Sequence, residues 1–268
     1  ELPEREALAE DAPLIGIIDS GVNDHPLIED IIVGAIGVPD AIGTADDHGH
    51  GTFVGGIATF GDLQAQLSAR TLVRHARLCS AKVVDANGRF PNSRLTPKLM
   101  REAITRLHEA YGCRIFVIAL GDRTKTVEGG KVGPWAQTLD ELVRELDVVI
   151  IVAAGNRTPR SGQRIEQAVT EYPNYLTEDS NRLCEPAGGM NIVTVGSIAH
   201  GNGLSQRAAD NVGVRPITEA FEPSPFSRSG PGVRGAIKPD FTDVGGTLIY
   251  DGPTAALRGG EINPEAGV

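Results

Sequence analysis

Short, unbroken apolar runs alternate with amphipathic segments along the first part of the chain. The runs are Leu14–Ile18, Leu78–Val84, Ile115–Leu120 and Val148–Val152. Continuous apolarity is typical of parallel strands that are covered on both faces. Between them, residues 96–111 and 134–146 carry apolar side chains at helical spacing, which predicts two crossover helices. This alternation predicts an α/β fold with a three-layer, doubly wound, mostly parallel sheet and helices on both faces.

The pattern loosens in the second part of the chain. Residues 157–185 and 200–223 are polar and contain proline, so we interpret them as surface insertions. Asn191 to Ser197 is strand-like again, and Phe226 to Asp240 is predicted to be an ordered loop. Because no linker is long enough to divide the chain, we expect a single domain over residues 1–268.

Composition excludes several classes of protein. The 268 residues carry a formal net charge of −10, which argues against a nucleic-acid partner. No apolar run approaches the roughly 20 residues of a membrane span, so we expect no membrane partner. Cys79, Cys113 and Cys184 are isolated, which predicts buried reduced thiols rather than a disulfide framework. Because the thiols are unpaired and no leader is visible, we expect a cytoplasmic location, with secretion left open. Because the first residue is Glu, we expect that the sequence starts inside a larger gene product.

Polar residues that could take part in catalysis lie where apolar runs end. Asp19 follows the first run, and Asn156 comes after the run that ends at Val152. His50 lies among glycines just ahead of a small, apolar segment, which predicts a helix whose first turn carries the imidazole. In parallel sheets, the carboxyl ends of strands are where ligands bind. These three residues are therefore the candidate catalytic group.

The surrounding motifs resemble those of subtilisin-like serine peptidases, the subtilases. The resemblance runs from about Pro13 to the end of the chain, and its motifs are Gly16-Ile17-Ile18-Asp19-Ser20-Gly21-Val22, His50-Gly51-Thr52-Phe53-Val54-Gly55-Gly56, Ala153-Ala154-Gly155-Asn156 and, more weakly, Ala119-Leu120-Gly121 and Lys238-Pro239-Asp240.

The resemblance implies a role for each site residue. Asp19 would orient the imidazole, His50 would act as general base, and Asn156 would donate a hydrogen bond to the oxyanion. A polypeptide substrate would lie extended against Ala119, Leu120 and Gly121, with Gly155 also in the binding site. It implies no cofactor or metal; a structural cation is possible, but no oxygen-ligand spacing indicates one.

One part of the family pattern is absent. The segment Gly-Thr-Ser that carries the nucleophile has no counterpart in the sequence, and Ser20, Ser197, Ser227 and Ser229 lie in motifs where the family places no nucleophile. We therefore expect a C-terminally incomplete peptidase domain that is inactive alone. Its partner would be the remaining C-terminal part of the same gene product, which would supply the serine.

Some alternatives stay open. The chain could be a degenerate subtilase that binds peptides or a partner protein without cutting them, or a structural fragment of a larger enzyme. His48 is interpreted as a loop neighbour of His50. Asp46 and Asp47 are interpreted as a solvated turn, although such carboxylates can also pair with arginine or bind a cation.

Overall fold

A computed structural model describes residues 4–128, 130–157, 169–204 and 212–259. Its helices are α1 (His50–Phe60), α2 (Leu63–Ala69), α3 (Thr96–Tyr111) and α4 (Pro134–Leu146). Its strands are β1 (Glu4–Arg5), β2 (Leu14–Asp19), β3 (Ile32–Gly37), β4 (Thr71–Leu72), β5 (Arg77–Lys82), β6 (Ile115–Ile118), β7 (Asp122–Thr126), β8 (Val149–Ala153), β9 (Cys184–Glu185), β10 (Val193–Ile198), β11 (Val214–Pro216), β12 (Phe241–Val244), β13 (Leu248–Asp251) and β14 (Ala256–Gly259).

The chain forms two compact units. The first comprises residues 1–120 and 134–152, and the second comprises residues 121–133 and 153–268. In the first unit, five strands lie in the order β8-β6-β2-β5-β3, with parallel pairing between neighbours, and they form the sheet of the α/β fold.

Helices cover both faces of the sheet in the first unit. Alternate residues of a strand point to opposite faces, and Leu78 packs in one apolar cluster with Phe60 of α1. On the other face, Gly34 of β3 lies directly beneath the ring of Tyr111 at the end of α3. A side chain at position 34 would occupy the space of that ring, so this glycine allows α3 to pack closely on the sheet.

The second unit contains the parallel pair β10–β12 and two smaller antiparallel sheets. One of these pairs β7 with β9, and the other has the order β11-β13-β14. The β7–β9 pair has a register irregularity between Asp122 and Thr126. This short sheet fixes the position of Cys184 and Glu185, which are both buried.

The predicted α/β class is confirmed, and so are the two amphipathic helices at 96–111 and 134–146. The three cysteines are free and buried, as expected. The sequence pattern did not predict β3, α2 or the β11-β13-β14 sheet, because each is short and mixes apolar with polar or glycine residues. Parts of both predicted insertions, residues 158–168 and 205–211, lie outside the described residues. The single domain over 1–268 stays a prediction.

Candidate active site

Asp19 and His50 form a hydrogen-bonded pair in the first unit. Asp19 is the last residue of β2 and is 1% exposed, whereas the His50 side chain is 39% exposed. The His50 Nδ1 atom lies 2.9 Å from both carboxylate oxygens of Asp19. With Nδ1–H donated to the carboxylate, Nε2 carries the lone pair, and this is the tautomer that a general base requires.

Glycine allows the helix of His50 to start beside the end of β2. A Cβ atom at Gly51 would lie 2.0 Å from the backbone oxygen of Gly21, so only glycine permits this approach. The Gly51 amide donates to the Ser20 hydroxyl at 2.9 Å, and the Ser20 amide donates to Asp19 at 2.8 Å. These contacts fix the first turn of α1 relative to Asp19.

Asp46 is a part of the site whose position the sequence analysis missed. It was expected in a solvated turn, but it is only 6% exposed. Its carboxylate accepts hydrogen bonds from the amides of His48, Gly49 and Thr52 and from the Thr52 hydroxyl, at 2.6–3.1 Å. Asp46 therefore satisfies amides at the start of α1, where a negative charge also interacts favourably with the helix dipole.

The electrostatics of Asp46 follow from these contacts. Burial by itself raises the pKa of a carboxyl group, but hydrogen bonds from Thr52, Ser20 and the Gly49 amide outweigh it and lower the pKa of Asp46 to about 2. Asp46 is therefore ionised at neutral pH. The signal that could have indicated its role is an acidic residue just ahead of the predicted start of α1, where a negative charge is favoured by the helix dipole.

The turn that contains Asp46 is anchored on both sides. Asn23 exchanges two hydrogen bonds of 2.8 Å with the backbone of Asp46. Lys82, at the end of β5, is 2% exposed and donates to the Ala45 oxygen and to the Asp47 carboxylate at 2.5 and 2.7 Å. Asp47 itself is 60% exposed, so it matches the predicted solvated turn but also pairs with a buried lysine.

The pKa of His50 is raised above its ordinary value. The hydrogen bond with Asp19 is the main cause, partial burial opposes it, and the charges of Asp19 and Asp46 add to it. The environment thus stabilises the imidazolium that forms when His50 accepts a proton. His48 lies edge-to-face with His50 at a ring distance of 6.1 Å and is exposed, in agreement with its interpretation as a neighbour.

Asn156 lies in the second unit, three residues beyond β8. It is exposed and forms an isolated antiparallel bridge with Ser227. The next amide, of Arg157, donates to the Phe226 oxygen at 2.8 Å, and the Ala154 amide donates to Val195 at 2.8 Å. The backbone around Asn156 is therefore paired on both sides, and the side-chain amide extends from an anchored segment.

The predicted substrate-binding residues occupy the ends of two strands. Ala119 and Leu120 follow β6 in the first unit and are half-buried. Gly121 and Gly155 belong to the second unit, and Gly155 has a φ of +97°, which favours glycine. The Sγ atom of Cys184 lies close to both glycines.

Serines that the sequence analysis dismissed as nucleophiles have structural roles. Ser20 accepts from the Gly51 amide, and Ser227 accepts from the Ser197 amide at 3.0 Å. Ser197 pairs with the Ser224 hydroxyl, and Ser229 donates to the Leu176 oxygen, each at 2.5 Å. Hydroxyls held in this way suit a structural role better than nucleophilic attack.

Two classes of site have no counterpart in the described part of the chain. Residues 4–128, 130–157, 169–204 and 212–259 hold no group of three or more His, Cys, Asp or Glu side chains that could bind a metal ion. Within the same ranges, each helix is too short or too polar to traverse a lipid bilayer.

A curated relative and several solved structures resemble this chain. The protein y4bN of Sinorhizobium fredii (strain NBRC 101917 / NGR234) is 67% identical over 172 residues, which are 64% of this chain and 40% of y4bN. This chain therefore aligns with less than half of that relative.

The solved structures show the fold. A leader-peptide processing serine protease (EpiP) from Staphylococcus aureus has a TM-score of 0.54 at 16% identity, covering 92% of this chain and 53% of that one. MycP1 without its propeptide has a TM-score of 0.51 at 20% identity, covering 92% of this chain and 68% of that one. A protease from Pseudoalteromonas arctica has a TM-score of 0.53 at 14% identity, covering 88% and 63%.

The sequence profile of the subtilase family of peptidases matches residues 10–265, nearly the whole chain. The strand-end aspartate, the helix-start histidine and the asparagine beyond β8 all lie within that match. The chain belongs to the subtilase family.

Proposed function

We propose that this chain is the part of a serine endopeptidase that carries the acid, the base and the oxyanion donor. The observation that carries the proposal is the pairing of His50 Nδ1 with both oxygens of buried Asp19 at 2.9 Å. If the buried carboxylate of Asp19 served only the structure, backbone amides could satisfy it, and an imidazole partner would not be needed. An imidazole that is paired on one side and partly exposed on the other suits proton transfer.

The reaction is acyl transfer through a serine that lies outside the given sequence. His50 Nε2 accepts the proton as the serine oxygen attacks the scissile carbonyl, and the imidazolium then protonates the leaving amine. Asp19 holds the ring and stabilises its charge. Asn156 donates to the oxyanion, a contribution worth about 10²–10³ in rate for the equivalent donor in subtilisin. Water attacks the acyl-enzyme in a second cycle of the same steps and releases the acid.

The substrate is an extended polypeptide that aligns with Ala119, Leu120 and Gly121. Hydrogen bonds between the backbone of the substrate and the backbone of this strand end give affinity that does not depend on the substrate's side chains. Gly155, next to Asn156, is assigned to the same binding site through its backbone, since the space beside its Cα atom is taken by the Cys184 sulfur.

The partner is the polypeptide that carries the serine, in the same gene product. Helix α1 supports this assignment, because Phe53 and Ile57 are one turn apart on it and are 63% and 51% exposed. Adjacent exposed apolar side chains on the helix of the base favour a covering segment. Phe53→Ser with Ile57→Ser is expected to weaken co-purification of the separately expressed remainder of the gene product. Leu95→Ser, at a position 78% exposed before α3, is the matched control and should leave it unchanged.

A fluorophosphonate probe tests the catalytic proposal on the longest gene product that contains this sequence. We expect labelling of the intact protein, its loss in His50→Ala, and its retention in His48→Ala, which removes the exposed neighbouring imidazole. No labelling of the correctly folded wild-type protein would instead support the non-catalytic binding module.

A further inference from the structure

Two of the three free thiols meet inside the first unit. We infer that Cys79 and Cys113 form a disulfide under oxidising conditions and that this bond braces the neighbouring strands β5, β2 and β6. These strands end at Lys82, Asp19 and Ile118, so the bond would stabilise the part of the sheet that holds the proposed acid. The inference concerns the stability of the first unit and does not depend on the proposed catalysis.

A glycine lets the two thiols approach each other across the middle strand. Cys79 lies in β5 directly opposite Gly16 of β2, and neighbouring strands are about 4.8 Å apart. A Cβ atom at Gly16 would lie 3.1 Å from the Cys113 Sγ atom, so this sulfur occupies part of the space that a side chain at position 16 would need. The two thiols form a hydrogen bond with each other. Contact between the sulfur atoms is the first requirement of a disulfide.

The surrounding structure holds both thiols in place. Cys113 lies two residues beyond Tyr111, the last residue of α3, and its thiol donates to the Ile115 oxygen at 3.3 Å. Cys79 is also paired with Gly34 of β3, and the Tyr111 ring covers that glycine. Both cysteines are 0% exposed. A bond between them would therefore join β5 to the junction between α3 and β6 within the packed interior.

The hydrogen bond between the thiols also determines which of them reacts first. It is the main cause that raises the pKa of Cys79 and lowers the pKa of Cys113, while burial raises both. Hydrogen bonds with the backbone of Ile115 and Gly16 lower the pKa of Cys113 further. Cys113 therefore ionises before Cys79, and the thiolate is the form that attacks a disulfide.

The reaction is thiol–disulfide exchange with a small disulfide such as oxidised glutathione. The Cys113 thiolate attacks one sulfur of the small disulfide, which forms a mixed disulfide and releases one thiolate. Cys79 then loses its proton and attacks the Cys113 sulfur, which releases the second thiolate. The protons of the two protein thiols pass to the two released thiolates. One disulfide is thus reduced while another is formed.

The expected effect follows from the length of chain that the bond would close. Cys79 and Cys113 are 34 positions apart, and the segment between them contains α3. A disulfide across a loop of this length restricts the unfolded chain and favours the folded state by about 10²–10³ in the folding equilibrium constant. Since β2 lies between β5 and β6, the strand that ends at Asp19 is flanked by the two bonded elements.

Peptide mapping tests whether the bond forms. Because both thiols are buried, the full gene product is equilibrated with oxidised or reduced glutathione at a urea concentration just below its unfolding transition, where the chain opens transiently. Iodoacetamide then blocks the remaining thiols in denaturant, and mass spectrometry identifies the tryptic peptides. We expect a disulfide-linked pair of peptides that contain Cys79 and Cys113 in the oxidised sample alone.

Urea denaturation tests whether the bond braces the fold. Oxidation should move the unfolding midpoint to higher urea by an amount that corresponds to about 10²–10³ in the equilibrium constant, and dithiothreitol should reverse the shift. Cys79→Ala and Cys113→Ala should lose both the linked peptides and the shift. Cys184→Ala, which removes a buried thiol from the second unit, is the matched control and should retain both. Circular dichroism of the reduced samples checks the fold of each variant.

The outcomes are independent of the catalytic proposal. Alkylation of both Cys79 and Cys113 in the oxidised wild type, or a linked peptide that contains Cys184 in place of either, would overturn the inference without any need for a variant. An unchanged midpoint in the presence of the bond would also overturn it, because the bond would then brace nothing. If the bond forms and shifts the midpoint but the fluorophosphonate labels nothing, the inference stands and the catalytic proposal fails.

Discussion

Two short segments carry the proposed chemistry, and the protein holds them by different means. The base turn, residues 44–52, contains His50 and is fixed by side-chain hydrogen bonds centred on the Asp46 carboxylate. The amide turn, residues 154–157, contains Asn156 and is fixed by backbone pairing and close packing around Gly155. The base turn is held by charged and polar side-chain contacts, and the amide turn by backbone hydrogen bonds and packing.

The difference corresponds to what each group has to do. His50 changes its charge during the proposed reaction, so its surroundings need carboxylates that stabilise the imidazolium. Asn156 stays neutral and only donates a hydrogen bond, so accurate placement of the backbone is sufficient. The two turns should therefore respond differently to substitution: the base turn to loss of charge, and the amide turn to loss of one donor or to added volume.

The largest effect is expected for Asp19→Asn, which changes the partner of His50 in the base turn. The Asn side chain has an NH2 group where Asp has a second carboxylate oxygen. When this group donates to Nδ1, the proton of the imidazole moves to Nε2, which is the wrong tautomer for a general base. We expect kcat/KM of the full gene product to fall by about 10⁴, as the same change does in a serine protease triad. Steady-state kinetics measures the fall, and circular dichroism checks the fold.

Retention of more than a tenth of the activity in Asp19→Asn would contradict the assigned role. An accompanying change supports the electrostatic account: the pKa of His50 should fall, because its main cause, the hydrogen bond with Asp19, is altered. NMR titration of the imidazole in the present chain follows this change without the serine.

In the amide turn, Asn156→Ala is expected to lower kcat by about 10²–10³ with little change in KM, because only the transition state carries the oxyanion. Asn156→Asp has a similar size but adds a negative charge, so it should be at least as damaging. Kinetics of the full gene product measures both. An effect on KM alone would assign Asn156 to substrate binding instead of catalysis.

The sequence predicted the residue types of the site but not how they are held. Asp19, His50 and Asn156 are recognisable because each stands in a short local motif. Asp46 looked like a solvated turn residue, since its burial depends on Asn23 and on Lys82, which lies 36 positions later in the sequence. Likewise, the closure of the gap between Gly121 and Gly155 depends on Cys184, which no local pattern connects to either glycine.

The secondary structure shows the same distinction between local sequence signals and contacts made by residues far apart in the sequence. Thr96–Tyr111 and Pro134–Leu146 were predicted to the residue, because their periodicity and their proline and glycine boundaries are local signals. In contrast, β3 reads Ile-Val-Gly-Ala-Ile-Gly, and its two glycines resemble turn residues. The structure shows that Gly34 serves packing against Tyr111, a contact 77 positions away in sequence.

A pair of glycine substitutions in α1 tests whether close packing also matters in the base turn. Gly51→Ala would place a Cβ atom 2.0 Å from the Gly21 oxygen, so we expect a loss of about 3 kcal/mol in the free energy of unfolding. Gly56→Ala, in the same helix, meets no atom within 4 Å and should stabilise by about 0.5–1 kcal/mol. Urea denaturation measures both, and equal effects of the two substitutions would show that the approach at Gly51 is not tight.

An effect smaller than that of Gly51→Ala, and the one most specific to the base turn, is expected for Asp46→Asn. Asp46 has a pKa of about 2 in the folded chain against an ordinary value of 3.8, so the unfolded chain binds its proton more readily. The resulting stabilisation, about 2 kcal/mol, is present above pH 4 and is lost as the pH falls towards 2. The variant should lack this part of the acid dependence and be less stable at pH 7 by a similar amount.

Urea denaturation between pH 2 and 7 measures this loss of stability, with Asp24→Asn, an exposed carboxylate of the same charge, as the control. Because the charge of Asp46 also contributes to the raised pKa of His50, that pKa should fall in Asp46→Asn and stay unchanged in Asp24→Asn. A parallel acid transition in the wild type and Asp46→Asn would mean that the amides at the start of α1 do not depend on this carboxylate, and the base turn would then be held mainly by packing, as the amide turn is.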